Sequence, residues 1–81
     1  MKSYYFTFGC GHPLRSFVQR IFASCEAKAE ETMHRFYADR WASCYGPFAE
    51  NDPMDYETGV VDLHGYKYRK IGMDLMEGET L

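Results

Sequence analysis

The sequence has no apolar run approaching the roughly 18 residues that a membrane-spanning helix needs. Its first residues, MKSYYFTFGCGHP, hold one Lys and no unbroken apolar stretch of signal-peptide type. A chain neither secreted nor membrane-spanning is therefore expected. Cysteine is scarce: Cys10, Cys25 and Cys44 make an odd number with no Cys-x-x-Cys pair. That argues against a disulfide framework and favours reduced thiols in a cytosol. With only 3 Pro, 7 Gly and no internal repeats, the chain is neither collagenous nor low-complexity. An excess of positive charge is also missing. Nine Lys+Arg against twelve Asp+Glu leave net −3, so direct nucleic-acid binding is not the default expectation.

What is present is a folded chain of 81 residues, 46% hydrophobic and 17% aromatic, room for a single domain over 1–81 with one core. Charge is uneven along it. Residues 1–45 carry six basic and four acidic side chains (net +2), and residues 46–81 carry three basic and eight acidic (net −5). Such an acidic stretch is ordinarily a solvated loop or tail, and in fewer cases a docking surface for a basic partner.

Ser3–Phe8 (SYYFTF) is aromatic and β-branched and ends at Gly9, the signature of a strand with Tyr4, Phe6 and Phe8 on the core side. Gly9-Cys10-Gly11-His12-Pro13 must turn; the plain reading is a hairpin turn with its glycines at positive φ and His12 bonded to loop carbonyls. Leu14–Ala23 fits a helix or a strand. A strand antiparallel to the first is favoured, because a helix start follows directly at Ser24. The helix that follows carries Cys25, Ala29, Met33, Phe36 and Tyr37 as one apolar stripe. Trp41–Tyr45 reads as a short strand closed by Gly46-Pro47. Residues 48–59 read as a long acidic loop, Gly65–Ile71 as a last strand at or near a sheet edge, and the end as frayed. The expected fold class is α+β: a small antiparallel sheet of three to four strands with one helix packed on a face, in the order ββαβ(β).

The stretch YYFTFGCGHP at Tyr4–Pro13, the helix with Glu26-Ala27-Lys28 and Met33, and Phe36–Ala42 (FYADRWA) together resemble small proteins of phages and prophages. Those open with Tyr-Phe-Thr-Phe-Gly-x-Gly-His and later carry Phe-Gly-x-Lys-Trp-Ala. The likeness covers residues 4–45 and departs from the pattern at Tyr37 and Arg40, where Gly and Lys stand in it. It implies a phage or mobile-element origin, a β-β-α-β order and residence in the host bacterial cytoplasm. It supplies no activity. Small phage proteins of this kind generally act by binding, and inhibitors of bacterial immunity, anti-CRISPR proteins among them, are a prominent class by analogy.

Chemistry-bearing patterns are few. Cys10-x-His12 with Cys25, Cys44, His34 and His64 offers zinc ligands at a spacing that matches no standard finger, and Cys10 beside His12 is a weak candidate nucleophile. Gly9-x-Gly11 lacks the Lys-Ser/Thr of a phosphate loop. No enzyme, metal or cofactor is expected on these grounds. Seven Tyr, six Phe and one Trp exceed what a core of this size can cover, so protein binding leads. The expected partner is a host protein or ribonucleoprotein complex, with homodimerisation using similar surface. Asp52, Asp55, Glu57 and Asp62 would meet a basic surface, Phe48 and Tyr56 would anchor, and His12 and Arg15 would contribute from the turn. The alternative is a single-stranded nucleic-acid face at Tyr66, Lys67, Tyr68, Arg69 and Lys70, where stacking rings interleave with cations.

Overall fold

The computed structural model describes residues 1–51 and 58–80. Asp52, Asp55, Tyr56 and Glu57 lie outside the described residues. The elements are β1 (Lys2–Thr7), β2 (Phe17–Ala23), α1 (Glu26–Tyr37), β3 (Ser43–Ala49), β4 (Val60–Leu63), β5 (Tyr66–Lys70) and β6 (Leu75–Met76). They overturn the expected fold class. Six strands, not three or four, form one curled sheet in the order β3-β1-β2-β5-β4, with β6 also beside β2, and the sheet is mixed. β1 pairs antiparallel with β2 and β3, whereas β5 and β6 run parallel to β2, at Phe17–Val18 and Ile21–Phe22 in turn. The result is a half-barrel and not a flat sheet under a helix.

Three local features account for the difference. Val60-Val61-Asp62-Leu63 alternates and is closed by His64-Gly65, both at positive φ (52° and 82°), which makes a two-residue hairpin with Leu63 opposite Tyr66. β3 runs through Gly46-Pro47 instead of stopping there, because the register against β1 shifts between Ser3 and Tyr5 and takes up an extra residue as a bulge. Gly46 is required at that point. Its φ is +141°, and a Cβ would come within 2.8 Å of the Ser3 carbonyl oxygen. Glu77 and Gly78, expected to be frayed, are tied down. Glu77 N–H donates to Phe22 O, Gly78 N–H to Thr32 Oγ1, and Ser24 Oγ to Glu77 Oε2. Ser24 is thereby used outside the helix, which begins at Glu26 with Cys25 as its cap.

Both faces of the β1–β2 pair are buried. Tyr4, Phe6, Phe8 and Ile21 meet Ala29 and Met33 of α1 and Leu75 of β6. On the other face Tyr5 and Val18 are covered by Val61 and Leu63, with Tyr45, Phe48 and Tyr68 around them. The helix stripe is narrower than its spacing implied, since Cys25 is exposed while Phe36 and Tyr37 are half-buried. β5 is not an edge strand: it lies between β2 and β4, and β4 and β3 are the outer strands.

Candidate functional site

The loop between β1 and β2 is tied by His12 N–H to Gly9 O, Arg15 N–H to His12 O and Phe17 N–H to Leu14 O. Its glycines do not have positive φ. His12 does not bond carbonyls through its ring: Nδ1 accepts the Leu14 N–H at 3.0 Å, and the ring stacks on Phe8 at 4.7 Å. The loop thus holds Arg15 and Ser16 outward, and Arg69 N–H donates to Ser16 O at the start of the β2–β5 pairing.

That pairing brings Arg15 to residues some fifty positions away. A groove of about 380 Å³ is lined by Phe8, Cys10, Arg15, Ser16, Tyr66, Lys67 and Tyr68. Tyr66 is 67% exposed and stands 6.4 Å, ring centre to ring centre, from Tyr68. Tyr68 is half-buried, and burial first, then Tyr45, Tyr66 and Cys10, pushes its phenol up from 10.0, so the ring is neutral at any physiological pH. Arg15, Lys67 and Arg69 are exposed and make no ion pair among the described residues. Lys70 differs: it is half-buried, with its Nζ 3.8 Å from Asp74 Oδ1. A phenol ring offered to solvent between a guanidinium and an ammonium can stack on a planar group while holding an anion.

Of the residues expected to bind a protein partner, the described ones, Phe48, Asp62, His12 and Arg15, are scattered by comparison. Phe48 is half-buried edge-on to Tyr5 (5.6 Å, 62°), part of the hollow-side core. Asp62 is exposed on β4 and directly opposite Lys67. His12 lies in a different groove from Arg15. Among the described residues no three of His, Cys, Asp and Glu converge as metal ligands, and no hydrogen bond joins Cys10 to His12. Cys44 is half-buried and its thiol is pushed up to about 12, by burial first and then by Glu26 and Glu30, which makes it a poor nucleophile. Sequence reasoning missed Phe8, Cys10 and Ser16 as groove residues. The only signal for them is that they flank the turn, and that becomes informative only once β5 is known to lie beside β2.

Among the described residues no helix is long and apolar enough to cross a membrane. Comparison with protein-family models, with curated proteins and with solved structures finds nothing that matches this chain.

Proposed function

We propose that the protein acts by binding rather than catalysis, and that its ligand is single-stranded nucleic acid held in the groove beside β5. The observation that carries this is the grouping of Arg15 and Lys67, neither in an ion pair among the described residues, around the exposed Tyr66 ring and the Tyr68 phenol. Rings supply sequence-tolerant stacking worth about 1–3 kcal/mol per base, and the cations take the phosphates. The net charge of −3 sets a scale: with two or three phosphates engaged, binding is modest and falls with salt. The test is fluorescence anisotropy of a labelled oligothymidylate. Wild type binds and weakens as salt rises, Tyr66→Ala and Lys67→Glu each lose about tenfold, and equal affinity of both variants to wild type would remove the groove from the function.

A second reading is supported by the exposure of Asp62 on the outermost strand β4, directly after the stretch that carries Asp52, Asp55, Tyr56 and Glu57. In that reading the protein is a phage-encoded inhibitor in the host bacterial cytoplasm. Its acidic surface occludes the nucleic-acid-binding face of a defence nuclease or effector complex of the CRISPR type, as a monomer or a homodimer. Asp62→Lys separates the two. Placed opposite Lys67, it strengthens oligonucleotide binding in the first reading and weakens inhibition of the nuclease in the second. Reversing Asp52, Asp55 and Glu57 to Lys abolishes inhibition only in the second.

A further inference from the structure

A second groove, of about 400 Å³, lies on the other side of the β1–β2 loop, between Gly9, Gly11 and His12 on one wall and Asp39, Arg40 and Trp41 on the other. Its glycines pose a question that Gly46 does not. Neither has a positive φ, and a Cβ at either would meet nothing within 4 Å. The fold therefore has no need of glycine there. Bare backbone facing a groove is what a flat ligand lying close against the chain requires. The opposite wall is held by strain: Ala38, at φ 56° and ψ −128°, leaves α1 in a conformation suited to glycine. The chain is then fixed by Arg40 N–H to Tyr37 O and Ala42 N–H to Thr7 O. Trp41 is half-buried with its ring edge-on to Phe6 (5.0 Å, 85°). Asp39 and Arg40 are exposed, and neither has an ion pair or side-chain hydrogen bond among the described residues.

We infer that this groove is a pocket for a guanine base. A flat base lies between the glycine backbone and Trp41, Asp39 accepts from the base edge, and Arg40 holds the adjoining phosphate. The carboxylate selects the base. Guanine alone presents two neighbouring N–H donors on its Watson–Crick edge with no acceptor between them, whereas adenine, cytosine and uracil each place an acceptor where one carboxylate oxygen would sit. The pocket rests on the single-strand reading in one respect. Cys10 lines the first groove and its neighbours Gly9 and Gly11 line the second, so a strand crossing the loop fills both.

Trp41 is the one tryptophan of the chain, so its fluorescence reports this groove directly. GMP, AMP, CMP and UMP are titrated separately against wild type, Asp39→Ala and Gly11→Ala, with thermal melts of each protein. The expected result is saturable quenching by GMP at least about tenfold tighter than by the other three, lost in both variants while the melting temperature of each stays at the wild-type value. Quenching that does not discriminate among the nucleotides, or none at all, overturns the pocket. Labelled oligothymidylates with and without a GG step separate this from the strand reading. Oligonucleotides that bind irrespective of guanine, with Trp41 indifferent to GMP, leave the first groove standing and the second refuted. GMP quenching with no oligonucleotide bound leaves the pocket standing as a site for the free nucleotide and refutes the strand.

Discussion

The two faces of the β1–β2 pair differ in what they bury. Toward α1 lie Tyr4, Phe6, Phe8 and Ile21, packed with Met33 of the helix, and Gln19, a polar group sealed among them, is satisfied entirely by neutral partners: its Nε2 donates to Arg20 O and Met73 O, and its Oε1 accepts from Tyr37. Toward the hollow of the curled sheet, next to Tyr5 and Val18, lies Arg20. It is 2% exposed, with Nη2 on Glu50 O, Nε 3.9 Å from Asp74, and the guanidinium 4.2 Å over the Phe22 ring. One strand pair thus carries a neutral core on one side and a charge on the other. The neutral side sets the shape by packing. The hollow side ties two distant segments to β2, since Glu50 follows β3 and Asp74 precedes β6.

The largest effect that separates the faces is Phe6→Ala, which empties a fully buried site in contact with Trp41. A loss of about 3–5 kcal/mol is expected by urea denaturation. Because Trp41 is the fluorescent reporter, the folded spectrum of this variant also shifts. A loss no larger than that of a surface substitution would mean that the helix face is not the principal core. On the hollow side Arg20→Met removes charge-assisted contacts and loses about 2 kcal/mol. Its coupling to Asp74→Asn then decides how much of that is ionic. Asp74 is about one-third exposed, so solvent screens the pair. A coupling within about 0.5 kcal/mol of zero would show that the Arg20 contribution does not come from the pair with Asp74.

How far the sequence discloses this division depends on the span of each contact. The alternation of Tyr4, Phe6 and Phe8, and its pairing with the strand that holds Ile21, is written within some twenty residues and is legible. The burial of Tyr5 on the opposite face is not, because its cover comes from Val61 and Leu63, brought over by β4 and β5 from the far end of the chain. Two signals were there to be read. His-Gly after an alternating Val-Val-Asp-Leu is a hairpin turn, and Gly-Pro within an aromatic stretch is a bulge as readily as a stop. The site follows the same rule. Tyr66, Lys67 and Tyr68 stand out locally, whereas their meeting with Arg15 requires β5 to run parallel to β2, which no local pattern encodes. The carboxylates Asp52, Asp55 and Glu57 are conspicuous in composition, yet of that group only Asp62 has a described position.

Tyr37→Phe probes the neutral face at one atom. The substitution keeps the ring that lies edge-on to Phe8 (5.2 Å, 70°) and removes only the hydroxyl that Gln19 Oε1 accepts at 2.8 Å. Leaving that oxygen buried without its donor costs about 1–3 kcal/mol. A second change, Gln19→Leu, removes the stranded oxygen, so the double variant is expected to recover part of the loss. A double variant less stable than Tyr37→Phe alone would show that the Gln19 bonds to Arg20 O and Met73 O, and not the Tyr37 hydroxyl, hold this point together.

The smallest expected effect is one of pH, and it begins on the helix face. Cys44 packs against that core, and its thiol rises from 9.0 to about 12 through burial first and then the charges of Glu26 and Glu30. The folded chain therefore holds this proton more tightly than the unfolded chain. Its contribution to stability is complete below pH 9.0 and is lost as pH climbs toward about 12. Tyr4 and Tyr37, raised above 10.0 chiefly by burial, add the same sign from a higher starting point. Urea midpoints measured from about pH 8 upward should be flat and then decline, and Cys44→Ala should delay the onset of the decline until the tyrosines begin to titrate near their unfolded value of about 10. If Cys44→Ala instead declines as early as wild type, the thiol is in water, and the seam between β3 and the helix is looser than the packing of Cys44 against the helix-side core requires.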